Sequence, residues 1–283
     1  MKKYLSLIKF SHTIFALPFA AVGFSLAVKA TGSGLSLQKL IAVVLCMVFA
    51  RSAAMAFNRY LDRRFDALNP RTATREIPAG QISPRNALLF TISSSVLFIA
   101  TTWAINPLCF ALSFVALAVI LFYSYTKLFT PLCHLVLGVG LALAPIGAYL
   151  AVTGEFATLP VLLSGAVFCW VAGFDIIYAL QDEAFDRAQG LHSIPEALGG
   201  RNALLVSRLL HACAAALIIT VGIYGQLHPL YWAAAAVFIG LLLYQHSIVS
   251  PADLSRVNLA FGTTNGIASV LFAVGTIGAL LLS

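Results

Sequence analysis

Charge is what this sequence has least of. Of its 283 residues only 10% are Asp, Glu, Lys or Arg, whereas 60% are apolar. Soluble domains carry about 25% charged residues, so a water-soluble globule of this composition could not cover its own surface. Strict apolar–polar alternation is absent, which excludes a lipid-facing β-barrel. No hydrophilic stretch is long enough to fold as a separate soluble domain, and nothing in the pattern points to nucleic acid. Cysteine is sparse too. Cys46, Cys109, Cys133, Cys169 and Cys213 all fall in apolar runs without a C-x-x-C pair, so they read as small buried hydrophobes rather than a disulfide or zinc site.

What is present is a series of apolar runs of about 20 residues, the length a helix needs to cross a bilayer, with a mean hydropathy of +0.94. Spans are expected at 11–30, 37–57, 85–105, 107–126, 131–152, 158–179, 203–225, 229–249 and 256–281. The fold class is therefore all-α: a polytopic membrane bundle of nine helices in one domain over 1–283, with the lipid bilayer as its surroundings. No small-residue cleavage site follows the first run, so it is expected to remain as structure. Asn106-Pro107, Thr130-Pro131 and His228-Pro229 place prolines where one helix stops and another starts.

The basic residues set an orientation. With Lys2, Lys3 and Lys9 cytoplasmic, Arg51, Arg59, Arg63, Arg64, Arg71, Arg75, Arg85, Lys127, Arg187, Arg201, Arg208 and Arg256 share that side, leaving Lys29 and Lys39 on the other. This bias implies a bacterial-type inner membrane protein whose N-terminus and chemistry face the cytoplasm.

Two polar segments on that side repeat one another. Asn58-Arg-Tyr-Leu-Asp62-Arg-Arg-Phe-Asp66 is followed by Ile77-Pro78 and Arg85-Asn-Ala-Leu-Leu89. Tyr178-Ala-Leu-Gln-Asp182-Glu-Ala-Phe-Asp186 is followed by Ile194-Pro195 and Arg201-Asn-Ala-Leu-Leu205. The acids recur after 120 positions and the R-N-A-L-L pentapeptide after 116. Two parallel four-helix repeats plus a ninth helix account for this. Within each cluster the polar residues recur every four positions, which on a helix stacks them along one face. Ladders of carboxylates without His or Cys companions suit a hard cation such as Mg²⁺, completed by substrate phosphate oxygens. Arg63, Arg71, Arg75, Lys127 and Arg187 crowd the same places and suit an anion that arrives with metal, such as a diphosphate.

These residues resemble a known family. Ala50-Arg51-Ser-Ala-Ala-Met-Ala-Phe-Asn58 through Asp66, continuing to Arg71-Thr72 and Arg75-Glu-Ile-Pro78-Ala-Gly80, is similar to the first signature of the UbiA superfamily of intramembrane aromatic prenyltransferases. Asp175-Ile-Ile-Tyr178 through Asp186, with Gly190 and Ser193, resembles the second. The resemblance covers essentially the whole chain. It implies a helical bundle with a central cavity, Mg²⁺ (two ions) on Asn58, Asp62, Asp66, Asp182 and Asp186, and a polyprenyl diphosphate donor whose prenyl group passes to a ring carbon of a carboxylated aromatic acid. Tyr178 would orient the second ladder, Arg71, Arg75 and Lys127 would hold phosphate oxygens, and Asp175 or a diphosphate oxygen would take the ring proton. Arg51, two turns deeper than Asn58, would clamp the acceptor's carboxylate, with an ion pair to Asp175 or another acid as the structural alternative.

The first helix reads Lys9-Phe-Ser11-His12-Thr-Ile-Phe-Ala-Leu-Pro18, without the Arg and Asp that 4-hydroxybenzoate enzymes carry there. With Tyr123-Ser-Tyr-Thr-Lys127 and His134 it is similar to UbiA-like enzymes of the futalosine route to menaquinone. The acceptor is thus 4-hydroxybenzoate or 1,4-dihydroxy-6-naphthoate. His12 and His134 are candidates for acceptor contact, packing being the plainer alternative. A transporter with an acidic vestibule, or a CDP-alcohol-type phosphotransferase, are the competing readings. The former leaves the flanking arginines unexplained, and the latter's Gly-x-x-Ala-Arg is missing. Chain length of the donor and oligomeric state are left open.

Overall fold

The computed structural model describes residues 2–8 and 15–283. Its helices are α1 Lys2–Leu7, α2 Leu17–Thr31, α3 Leu37–Leu68, α4 Pro84–Trp103, α5 Pro107–Thr126, α6 Cys133–Thr153, α7 Thr158–Ala179, α8 Glu183–Gln189, α9 Ile194–Tyr224, α10 Pro229–Ser247 and α11 Asn265–Leu282. Among the described residues there is no strand, only an isolated bridge between Ser250 and Asp253. Among the described residues eight segments are long and apolar enough to cross a membrane, and α2 is a shorter apolar helix, so the expected polytopic bundle is what the chain forms.

The helix starts follow from local chemistry. Ser36, Ser83, Asn106 and Ser193 each accept a hydrogen bond from the backbone N–H three residues on, which satisfies a donor that the first turn leaves unpaired. Proline then sits in the first turn of α4, α5, α9 and α10, where a missing N–H costs nothing. Lys29 and Lys39, the two lysines expected on the far side, hold helix ends: Lys29 Nζ donates to Leu280 O at 3.1 Å and Lys39 Nζ to Val152 O at 2.9 Å. Cations suit the carbonyl-rich ends of α11 and α6.

Three elements differ from the spans expected. Helix α3 does not stop at residue 57 but runs 32 residues to Leu68, about 48 Å, because nothing helix-breaking intervenes before Asn69-Pro70. It carries Asn58, Asp62 and Asp66 on one continuous rod. The second ladder is not one helix: α7 tightens into a 3₁₀ turn at Leu180–Asp182 before α8 begins. Helix α9 begins at Ile194, nine residues before the expected span, and bends at Gly199, whose φ of 73° is open to glycine.

Helix α7 is the most enclosed, packed between α6 and α9, while α3 packs on α4 in the corresponding place of the first half. Helix α11 closes the ring by packing on α2 and α10. Trp170, Phe174, Phe19, Phe238, Phe272 and Tyr231 interlock where α2, α7, α10 and α11 meet. Close approach needs glycine at two crossings. A Cβ on Gly23 would lie 2.0 Å from the Pro145 carbonyl of α6, and one on Gly173 would lie 2.3 Å from the His211 ring. All five cysteines are free thiols, but only Cys133 and Cys169 are buried, and Cys213 is exposed.

Candidate active site

At the arginine-rich end of the bundle, α3, the loop after it, the end of α5 and the α7–α8 junction enclose a polar cavity of about 170 Å³. Asn58, Asp62 and Asp66 face it from α3, and Asp175, Tyr178, Asp182 and Asp186 from the other half. The 3₁₀ turn does not remove the second set from the cavity. It moves Asp182 and Asp186 off a strict helical stack but leaves both on its wall.

Cations grip these acids one by one. Arg71 is ion-paired to Asp182 through Nη2 and donates from Nε to its Oδ1 at 3.1 Å and from Nη1 to the Tyr178 hydroxyl at 2.8 Å. Asn69 Nδ2 adds a bond to Asp182 Oδ1 at 3.1 Å. Arg75 Nη1 lies 2.6 Å from Asp66 Oδ1, and Lys127 Nζ 2.6 Å from Asp62 Oδ2, which also accepts from Asn58 Nδ2 at 3.1 Å. The loop that presents Arg71 and Arg75 is tied to the end of α3: the Arg71 N–H donates to Asn69 Oδ1 and the Thr72 hydroxyl to Asp66 O. The Arg71 guanidinium is held above its ordinary pKa: burial works against its charge, but Asp182 and Tyr178 more than offset that. It stays fully charged at any physiological pH.

Among the described residues, five carboxylates therefore meet four cations, Arg59, Arg71, Arg75 and Lys127, around one chamber. A divalent cation fits the donors present. Asp66 Oδ2 is buried and has no hydrogen-bond partner, an acceptor left open beside Asp62. Among the described residues no three His, Cys, Asp or Glu side chains converge into a closed cage. That arrangement suits Mg²⁺, which takes one or two carboxylates, keeps waters and is completed by substrate phosphates.

Tyr123 joins this chamber to a second cavity of about 370 Å³, lined by Val43, Met47, Phe98, Ile120, Leu141 and other apolar side chains. Along α5 its wall runs from Tyr123 back to Cys109, about 21 Å at 1.5 Å per residue. Arg51 opens on this apolar cavity rather than on the acidic one. Asp175 does not answer it as an ion-pair partner: its Oδ2 lies 2.7 Å from His134 Nδ1. His134 is buried, and its Nε2 faces the Ile194 N–H at 3.4 Å.

Two expected substrate contacts lie elsewhere. Arg63 stacks over the Tyr60 ring at 4.4 Å and donates to Tyr60 O at 2.5 Å. Arg187 pairs with Glu183 at 3.0 Å, its side chain 57% exposed. Neither lines the cavity, because each points off the ladder face of its helix. His12 lies outside the described residues. Conversely, Arg59, Asn69 and Tyr123 line the chamber although the sequence pattern did not single them out for it. Asn69 carried a signal as the polar residue closing α3 before Pro70, and Arg59 one as an arginine three residues ahead of Asp62.

Fold and site together define a membrane-embedded helical enzyme in which an acid- and arginine-lined chamber opens onto an apolar one. Residues 16–277 match the model of the UbiA prenyltransferase family. The chain is 32% identical over 237 residues to a 4-hydroxybenzoate octaprenyltransferase of Nitrosospira multiformis, covering 84% of this chain and 81% of that one. It is 30% identical over 260 residues to the Aromatoleum aromaticum enzyme of the same name, covering 92% and 85%. The apo structure of a UbiA homolog from Aeropyrum pernix K1 superposes with a TM-score of 0.85 at 35% identity, over 94% of this chain and 97% of that one. A UbiA homolog from Archaeoglobus fulgidus bound to GPP and Mg²⁺ superposes with a TM-score of 0.77 at 26% identity, over 99% of each chain. The chain belongs to the UbiA prenyltransferase family and is a transferase.

Proposed function

We propose that this enzyme transfers the prenyl group of a polyprenyl diphosphate to a ring carbon of a carboxylated aromatic acceptor, 4-hydroxybenzoate or 1,4-dihydroxy-6-naphthoate, in quinone synthesis. The observation that carries this reading is the junction at Tyr123, where a chamber built for a metal-bearing anion meets a long apolar cavity. A diphosphate head and a polyprenyl tail need these two environments side by side. The bias of the basic residues reads the arginine-rich end as cytoplasmic.

Asp62, Asp66 and Asn58 on one side, and Asp182 and Asp186 on the other, would hold the metal. Bound there, Mg²⁺ supplies Lewis-acid stabilisation of the departing diphosphate. Arg71, Arg75 and Lys127 lie against these same acids, where they would also reach the oxygens of a diphosphate held there. Tyr178, fixed by Arg71, orients the same wall. The apolar cavity keeps water from the allylic carbon as its C–O bond breaks, since an allylic cation survives only where water is excluded. Arg51 faces the acceptor's carboxylate, and Asp175, held by His134, stands as the group to receive the ring proton.

The test is diphosphate release by purified enzyme given a polyprenyl diphosphate with each acceptor in turn, followed by mass spectrometry of the product. Turnover is expected with one of the two acids and only with Mg²⁺. Product without an aromatic acceptor, or in excess EDTA, overturns the reading.

A further inference from the structure

Of the four described cations that line the polar chamber, three are each bonded to an acid and one is not. Arg59 lies on α3 next to Asn58 and is 5% exposed. It lines the chamber, yet its Nε is buried without a partner, and its guanidinium makes no hydrogen bond or ion pair with any described residue. A guanidinium carries five donors, and leaving it unpaired at membrane depth is expensive. Two accounts are open. Arg59 could be a fixed counter-charge to Asp62, Asp66 and Glu76, which lie within electrostatic range. A counter-charge settles into bonded geometry, however, as Arg71, Arg75 and Lys127 do in the same chamber. Glu76 is bonded instead to Ser6. Moreover, the charged group that acts most strongly on Arg59 is another cation, Arg75. Two guanidiniums facing one polar space, one of them with its donors open, form a receptor for an anion that bridges them.

We propose that Arg59 is a ligand of the donor's diphosphate, closing with Arg75 on its oxygens from the α3 side, opposite the Arg71–Asp182 wall. This rests on the prenyltransferase reading above and adds to it a binding residue that the repeated motif does not contain. Arg59 has no counterpart in the second half, where Ala179 follows Tyr178, so the diphosphate is gripped asymmetrically.

The experiment is calorimetric titration of the purified full-length enzyme with inorganic diphosphate at fixed Mg²⁺, and with Mg²⁺ alone, for wild type, Arg59→Gln and Arg59→Lys. Arg59→Gln is expected to weaken binding of diphosphate with Mg²⁺ by about 10- to 100-fold, the worth of a charge-assisted bidentate contact. Its affinity for Mg²⁺ alone stays unchanged. Arg59→Lys retains the charge but not the fork, and is expected to bind several-fold more weakly than wild type. In turnover, the KM for the polyprenyl diphosphate rises in both variants while that for the acceptor does not. A counter-charge role predicts the opposite pattern: wild-type diphosphate affinity in Arg59→Lys, and in Arg59→Gln loss of folding or of Mg²⁺ binding. Either result overturns the assignment. If wild type itself fails to bind diphosphate with Mg²⁺, the prenyltransferase reading falls. If wild type binds and both variants match it, only the role of Arg59 falls.

Discussion

At Asp62, Asp66 and Asp182, each carboxylate proposed for metal is paired through one or both oxygens with a lysine or arginine proposed for phosphate. Each substitution here therefore has two readings, loss of a metal donor and release of a cation, and binding separates them. Asp66→Asn is expected to leave the fold intact, since Thr72 still donates to the backbone carbonyl of residue 66, but to lower turnover by about 10²- to 10³-fold, the scale of losing an electrostatic group at the reacting centre. Diphosphate release measured beside thermal unfolding checks both halves. Arg51 belongs to the other chamber, so Arg51→Ala is expected to raise the acceptor KM about tenfold or more, the cost of a lost charged contact, with the donor KM unmoved. An unchanged acceptor KM removes Arg51 from that role. The acids and Arg51 were legible in the sequence because spacing on a helix displays them. The partners were not, since Arg71 and Asp182 are 111 residues apart and no local pattern encodes that distance. Arg63 and Arg187 mark the same limit: adjacency to an acid in sequence turned each side chain away from the ladder face.

Among the elements, the entry to α11 does more than the hydropathy pattern implies. Leu259–Thr264 form a π-helical turn, whose widened spacing leaves carbonyls to be satisfied by other means. Asn265 supplies them: its Nδ2 donates to Ala260 O at 3.0 Å and Phe261 O at 3.1 Å, while its Oδ1 accepts from the Trp170 indole at 2.8 Å. The turn places Phe261 against the Tyr178 ring with centroids 4.2 Å apart, so a buried amide some distance from the acids supports the wall that holds Arg71. Asn265→Leu is expected to destabilise the enzyme by about 2–5 kcal/mol, from these three intramembrane hydrogen bonds of about 0.6–1.7 kcal/mol each, and to raise the donor KM as Phe261 shifts. Thermal unfolding and steady-state kinetics on one preparation report both. At the crossing of α2 and α6 the constraint is steric. Gly23→Ala puts a methyl 2.0 Å from backbone at Pro145, and a loss of about 1–3 kcal/mol is expected as the helices part.

For the whole molecule, the apolar cavity proposed for the prenyl tail is expected to set which donors fit. Gly147 lines it, and a Cβ there meets nothing within 4 Å, so Gly147→Leu fills space without breaking packing. The variant is expected to shift preference toward shorter polyprenyl diphosphates, as read from kcat/KM across a donor series. Equal loss for every chain length contradicts that use of the cavity. The membrane spans, the all-helical class, the duplicated acidic clusters and the family resemblance are all legible in the sequence itself, because hydropathy over about 20 residues and four-residue spacing are local properties of the chain. Only the tertiary structure decided that Asp175 meets His134 rather than Arg51, that Arg51 and the acids open on different chambers joined at Tyr123, and that Arg59 faces the polar chamber unbonded. The reason is physical: which face of each helix turns inward is set by how the helices pack on one another, and those contacts join residues from 41 to 111 positions apart.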